Sequence, residues 1–437
     1  MRKPPPLSHF VRYPVTAGVA IIAIAVTIMT KTGRSLDAID MNVLAFEGQP
    51  WRILTCAFPH GDLLHILFNL LWLWTFGTML EQVWGPVRTF AIFVLFQVGS
   101  TLAEYALFSG GIGLSGIGYG LFGLLVVLAR RDRRFVDAMD RRTIAIFAGW
   151  FVLCIVLTFT HVMNVGNVAH GMGAVLGVLL GFVLSARRAA TRIASGAATA
   201  VLLVGSFAGA TIYRPYVNLS AEGGLDSARL GYDLLGTGDD AEAVRHLRRA
   251  LEISPNDAES WHNLGVGLER LGDDLGTIAA FRHALELEAT PENQAALALA
   301  LVDHAFKLAK AHDHGGALPF YREAVELEPS DKIAWYDLSL ACTKTRDRGC
   351  ALDAARHAYA LDHQADYRDQ LVDTLEADGD AAVSSNNDTL AIDRYREALS
   401  LGESTQIELK LSAAYRQAGR DKEADDAANK AAAGGPR

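Results

Sequence analysis

The chain has 437 residues, 51% of them apolar and 20% charged, with a mean hydropathy of +0.18 and a pI near 5.8. Those averages hide two unlike halves: through Pro215 there are 17 Lys and Arg against 9 Asp and Glu, and beyond it 23 against 40. A basic apolar half followed by an acidic one means two domains of different class, and neither has the basic, aromatic-interleaved face of a nucleic-acid binder.

The chain opens on MRKPPPLSHFVRYP, basic and proline-rich, and runs into an apolar stretch over 15–30. No small-residue cleavage site follows, and more hydrophobic segments do, so the stretch reads as a membrane helix and not as a signal peptide. Further apolar runs lie at 62–80, 89–108, 115–129, 143–160, 168–184 and 195–213. A crossing needs roughly 20 residues; most runs come close, and 115–129 is short. The loop RRDRRFVDAMDRR holds six arginines, and Arg187, Arg188 and Arg192 follow the sixth run. With Arg2, Lys3 and Arg12 on the same side, the positive-inside rule gives seven crossings, a cytoplasmic N-terminus and an extracytoplasmic acidic half. The Ala-, Gly- and Ser-rich run at 195–213 decides the last point: without it the acidic half is cytoplasmic.

The stretch GGIGLSGIGYG, 110–120, places Ser115 among glycines at the outer end of the short run. Such a serine is either packing glue between membrane helices or a nucleophile. At 1.5 Å per residue the run is only ~22 Å long, which puts Ser115 below the outer surface, where water must reach it through a cavity. HGDLLHILFNLLWLW sets His65 and Asn69 four apart on one helix face, and NVAHGMGAVLGVLLG carries His170 one turn into another helix. Gly173, Gly177 and Gly181 behind it match Gly116 and Gly120, so the two helices are expected to pack nearly backbone to backbone. Ser115 and His170 then share the outer end. Serine needs a neighbouring base, and the oxyanion it forms needs donors, which His65, Asn69 and the Ser115 N–H supply. No Asp or Glu is expected near the outer end of these helices, so the arrangement reads as a Ser–His pair and not a triad.

HILFN from His65, GLSG around Ser115 with Tyr119 four residues on, and AHGMGAVLG around His170 resemble the rhomboid intramembrane serine proteases. Trp51-Arg52 is similar to that family's WR pair, and Glu81 with Gly85 to the acidic-glycine close of its second helix; the likeness spans 51–184. The resemblance implies a six-helix core with one further helix. It implies Ser115 as nucleophile, His170 as base, His65 and Asn69 lining the oxyanion site with His60 beside it, and Tyr119 packed on His170, with Gly113, Gly116 and Gly173 as supporting small residues. A Ser–His mechanism implies no cofactor. No HExxH or Cys/His spacing accompanies His60, His65 and His170, so no metal is expected. His161 is expected at the outer interface, and Trp72, Trp74 and Trp84 as lipid-facing or interfacial anchors. The rival reading is a catalytically silent, rhomboid-like scaffold that holds partners.

YRPYVNLSAEGG begins a turn-rich linker, 215–225, after a membrane domain of 1–214. Beyond it HLRRALEISP, AFRHALELEA, FYREAVELEP, ARHAYALDH and RYREALSLGE align on Ala250, Ala284, Ala324, Ala358 and Ala398, at spacings of 34, 40, 34 and 40 residues. Trp261, Leu264, Gly265, Gly272 and Phe281 fit the tetratricopeptide (TPR) pattern, and Tyr415, Gly419 and Ala424 make a degenerate last unit. Residues 226–437 are therefore expected as five to six paired-helix repeats, an α-solenoid whose concave face suits a peptide or protein ligand. Four cysteines are too few for a disulfide scaffold; Cys56 and Cys154 read as packing. Cys342 and Cys350 flank one repeat's turn and either form a disulfide outside the cytoplasm or are reduced core residues. The whole reads as an all-α, multi-pass protein of bacterial inner-membrane type. It is expected to be an intramembrane serine endopeptidase acting on transmembrane protein substrates, with no nucleic-acid partner.

Overall fold

The computed structural model describes residues 4–33, 38–160, 162, 165–220 and 223–433. Arg2, Lys3 and His161, used above, lie outside them, and no strand occurs among the described residues. The chain forms two compact units, Met1–Thr237 with Arg245–Pro255, and Gly238–Val244 with Asn256–Arg437.

The first unit holds α1 Pro14–Lys31, α2 Leu63–Trp72, α3 Thr78–Leu107, α4 Ser115–Arg131, α5 Arg141–Phe159, α6 Asn167–Ser185 and α7 Ala189–Ala210. It also holds α8 Leu225–Thr237 and most of α9 Asp240–Ile253. Among the described residues five segments are long and apolar enough to cross a membrane: Pro14–Lys31, Leu63–Leu107, Arg141–Phe159, Asn167–Ser185 and Ala189–Ala210. Leu63–Leu107 is 45 residues long and breaks at Gly85, whose φ of 76° and ψ of 173° no helix contains, just ahead of Pro86. The break divides it into two helical stretches either side of Gly85. α4 has 17 residues, too few for that length; Leu121, Leu124 and Leu125 on it are wholly buried, which marks the inner helix of the bundle. The unit is a polytopic membrane bundle, six helices and one more.

Local chemistry moves several boundaries from those expected. The run at 62–80 is not one helix: a π-type turn, Leu73–Gly77, joins α2 to α3, and Thr75 Oγ1 donates to Leu71 O at 2.7 Å within it, a side-chain bond that competes with the helical ladder. α5 starts at Arg141 because the Asp140 carboxylate accepts the Thr143 N–H at 2.7 Å. α7 begins at Ala189, ahead of the expected run at 195. Glu81 is buried and caps α1 from another helix: it accepts from the N–H groups of Val15 and Thr16, both at 2.9 Å, and from Thr16 Oγ1 at 2.7 Å. These are orphan donors of a first turn that carries no cap of its own.

Beyond α7, a short helical turn, Arg214–Val217, folds back on the end of α3. The Arg214 side chain is 1% exposed. Its guanidinium lies 3.8 Å over the Tyr105 ring, donates to Tyr105 O at 3.1 Å and pairs with Asp226 at 3.3 Å. Asp226 also accepts from the Tyr105 hydroxyl and, at 2.9 Å, from the Val43 N–H. The segment read as a turn-rich linker is thus anchored, because a buried guanidinium demands partners. Glu47 adds ion pairs to Arg245 and Arg249 on α9 at 3.1 and 3.4 Å.

The second unit continues as antiparallel helix pairs: α10 Ala258–Arg270 with α11 Asp274–Leu287, α12 Pro291–Lys310 with α13 His314–Leu327, and α14 Lys332–Thr345 with α15 Arg348–Leu361. α16 Ala365–Ser384 with α17 Asp388–Leu401 and α18 Thr405–Gln417 with α19 Asp421–Ala433 complete it. The uneven spacing has a simple origin. α12 and α16 have 20 residues, where α10 has 13 and α14 has 14, so the extra length of the 40-residue units sits in the first helix. The aligned alanines are buried in the second helices, where a methyl is all that fits against the partner helix. Asp273, Asp313, Asp347 and Asn387 each cap the second helix by accepting the N–H three residues on, at 3.0, 2.8, 3.2 and 3.2 Å. The residue before each of these four caps lies in the left-handed region, at Gly272, His312, Arg346 and Asn386, and so does Gly419 ahead of α19. Cys342 and Cys350, Cα atoms 5.8 Å apart, are joined across one such turn as a disulfide.

Candidate active site

α4 and α6 touch through bare backbone. A Cβ at Gly173 would land on Gly116 O, one at Gly177 on Gly120 O, and one at Gly123 on Ala174 O. The expected ladder is displaced at its last rung: Gly181 faces the Val127 side chain instead, and Gly123 supplies the third backbone contact. This contact sets the first turns of the two helices side by side. Ser115, half-buried, opens α4. His170, 4% exposed, lies in the first turn of α6 with its ring stacked on Tyr119, centroids 4.6 Å and planes 23° apart. Tyr119 in turn reaches Phe147 O on α5 at 3.5 Å. Among the described residues Ser115 Oγ and the His170 ring make no direct hydrogen bond, and His170 Nδ1 has no partner. A nucleophile–base bond is commonly loose without substrate and tightens in the complex.

The loop that delivers Ser115 is clamped by α2 and the segment before it. Gly113 has φ 106° and donates its N–H to Cys56 O at 3.0 Å; a Cβ there would lie 2.9 Å from the His65 ring. His60 lies beside His65, ring centroids 4.8 Å apart. Its Nδ1 faces Phe58 O at 2.9 Å and its Nε2 accepts the Leu114 N–H at 3.4 Å. That pattern fits a proton on Nδ1, with Nε2 as acceptor for the Leu114 N–H. His60 therefore holds the residue before Ser115. Asn69 is buried one turn beyond His65, and its Nδ2 has no partner. Trp72 is not a lipid-facing anchor: it lies edge-on to Phe147 at 4.8 Å and its Nε1 is buried.

One acidic group stands where none was expected. Glu104, in the last turn of α3 and 5% exposed, accepts the Ala169 N–H at 2.8 Å, at the head of the helix that carries His170. Read by hydropathy, STLAEYALF is one apolar run that absorbs its glutamate; an ionisable residue inside such a run is itself the signal. Ser100, also unexpected, fills the space a Cβ at Gly116 would need and donates to Phe96 O.

Residues 47–187 match the rhomboid domain family. The chain is 31% identical over 183 residues to the rhomboid protease GlpG of Yersinia pseudotuberculosis serotype I (strain IP32953), covering 39% of this chain and 62% of that protein. It is 31% identical over 174 residues to the rhomboid protease GlpG of Pectobacterium atrosepticum (strain SCRI 1043), with the same shares. The chain thus spans less than two thirds of the length of these curated relatives. Among solved structures, the chain is similar to MamA 41-end from Desulfovibrio magneticus RS-1 (24% identity, 40% of this chain, 95% of that one, TM-score 0.26). It is also similar to a thermophilic TPR protein in Thermus thermophilus (18% identity, 44% and 99%, TM-score 0.21). Residues 47–187 thus match the rhomboid domain family, and antiparallel helix pairs follow from Ala258.

Proposed function

We propose that this protein is an intramembrane serine endopeptidase that hydrolyses a peptide bond in or near the transmembrane segment of a membrane-protein substrate. Ser115 Oγ attacks the scissile carbonyl as His170 takes its proton; the oxyanion receives the Ser115 N–H, the Asn69 amide and the His65 ring. His170 then returns the proton to the leaving amine, and water hydrolyses the acyl-enzyme on Ser115 by the same route reversed. The observation that carries this reading is the buried His170 ring, stacked on Tyr119 one turn beyond Ser115. The orphan Asn69 Nδ2 supports it: a buried donor without a partner costs about 1–3 kcal/mol, a cost removed when an oxyanion arrives.

The division assigned is a protease domain over 1–214, a linker over 215–225 and repeats over 226–437, with the N-terminus cytoplasmic and the repeats extracytoplasmic. The repeats would recruit a peptide or protein ligand. Protease accessibility of the repeats in sealed vesicles tests the orientation. The activity test is cleavage of a single-span substrate by purified protein in detergent, with Ser115→Ala beside it. Product from wild type alone supports the peptidase; no product from either supports a silent scaffold.

A further inference from the structure

The turn that delivers His170 does not hold itself. α6 starts after Gly166 with no side-chain cap of its own, so its first N–H groups need acceptors from elsewhere. Glu104 supplies one from α3: its carboxylate takes the Ala169 N–H at 2.8 Å, immediately ahead of His170. Gly166 is where the carboxylate fits, since a Cβ there would stand 3.4 Å from it. The same side chain also touches the path to the nucleophile: a Cβ at Gly111, four residues before Ser115, would lie 3.5 Å from Glu104 Cγ. One buried side chain thus lies beside both segments that bring the candidate dyad together, its carboxylate at the α6 end and its Cγ at the Ser115 loop.

We propose that Glu104 is a positioning residue for the reaction, its carboxylate fixing the height and rotation of the His170 turn relative to Ser115; this rests on the peptidase reading above. Glu104 does not meet the substrate and exchanges no proton with it. Its oxygen acceptor and its length are what matter: the glutamine variant keeps both, the aspartate variant keeps the charge but is one methylene short, and the alanine variant keeps neither.

The test uses the full-length protein in detergent, as wild type, Glu104→Gln, Glu104→Asp, Glu104→Ala and Ser115→Ala. The readouts are the rate of Ser115 labelling by a fluorophosphonate probe, kcat and KM on a single-span substrate, and amide hydrogen exchange over 166–172. Displacing a reacting group by about 1 Å can cost ~100-fold, so Glu104→Ala should label at least about tenfold more slowly and lose kcat with KM little changed. Its Ala169 amide should exchange faster, while Glu104→Gln stays close to wild type in all three. Should the alanine variant fail to fold, Glu104→Asp decides: slowed labelling supports the role and wild-type labelling overturns it. Wild-type labelling or unchanged exchange in Glu104→Ala overturns it, and so does a glutamine variant as impaired as alanine. A wild type that neither labels nor cleaves, like Ser115→Ala, overturns the peptidase reading and this role with it.

Discussion

The rings of Tyr119 and His170 lie 4.6 Å apart and nearly parallel, although one belongs to α4 and the other to α6. The glycines beside it let the two backbones meet directly, Gly173 at Gly116 O and Gly177 at Gly120 O. It orients the imidazole while leaving Nδ1 without a partner.

The face of the Tyr119 ring matters more than its hydroxyl, which reaches Phe147 O only at 3.5 Å. Tyr119→Phe should therefore retain cleavage within about threefold. Tyr119→Ala, which forfeits a stack worth ~0.5–1.5 kcal/mol beyond its buried area, should lose roughly tenfold or more in kcat. Steady-state kinetics on a single-span substrate separates the two.

The backbone contact predicts a sharp contrast between neighbouring glycines. Gly177→Ala would drive a methyl onto Gly120 O, and overpacking of this kind costs typically ~1–3 kcal/mol, so thermal unfolding in detergent should shift down and activity with it. Gly118→Ala meets nothing within 4 Å and should unfold at or slightly above the wild-type temperature.

Arg346 occupies a left-handed turn position, φ 65°, that equivalent turns give to Gly272 and Gly419. A side chain there costs roughly 1–2 kcal/mol, part of which a glycine's freer unfolded state offsets. Arg346→Gly should raise the repeats' stability to denaturant by up to about 1 kcal/mol. A lower midpoint would contradict this.

Asp337, on α14, has its pKa pushed up to about 6 by burial, with Asp331 adding repulsion. The unfolded carboxyl ionises near 3.9, so over this window the native state binds the extra proton and stability falls as pH rises from about 4 to about 6. Asp337→Asn removes that slope. It should stabilise the repeats at pH 7.5, by on the order of 1 kcal/mol once solvent screening is allowed for, and leave them unchanged near pH 4. Denaturant midpoints of both proteins at the two pH values check the sign.

The site's backbone was legible wherever a local signal carried it. Glycine spacing announced the α4–α6 contact because each bare position is a residue type, and the apolar runs announced the helices because lipid requires them. What escaped were partnerships across the chain. Glu81 was visible as a motif, yet the Val15 and Thr16 N–H groups it caps are over sixty residues away. Glu104 was hidden by the apolar letters around it, and the acceptor role of His60 depends on a loop carbonyl that no spacing reveals. In the repeats, left-handed turns filled by His312, Arg346 and Asn386 lack the glycine that marks the others. The odd 40-residue periods became intelligible only with the longer first helices in view.

Tyr105 follows Glu104 directly, and the two face different clients: Glu104 holds the Ala169 N–H, while Tyr105 is gripped by Arg214 and Asp226. In mechanical terms the last turn of α3 is a crank with two arms. Arg214 and Asp226 hold Tyr105 on one side of that turn, and on the other Glu104 holds the head of the helix that carries His170, so one turn of α3 anchors two segments distant from each other in sequence.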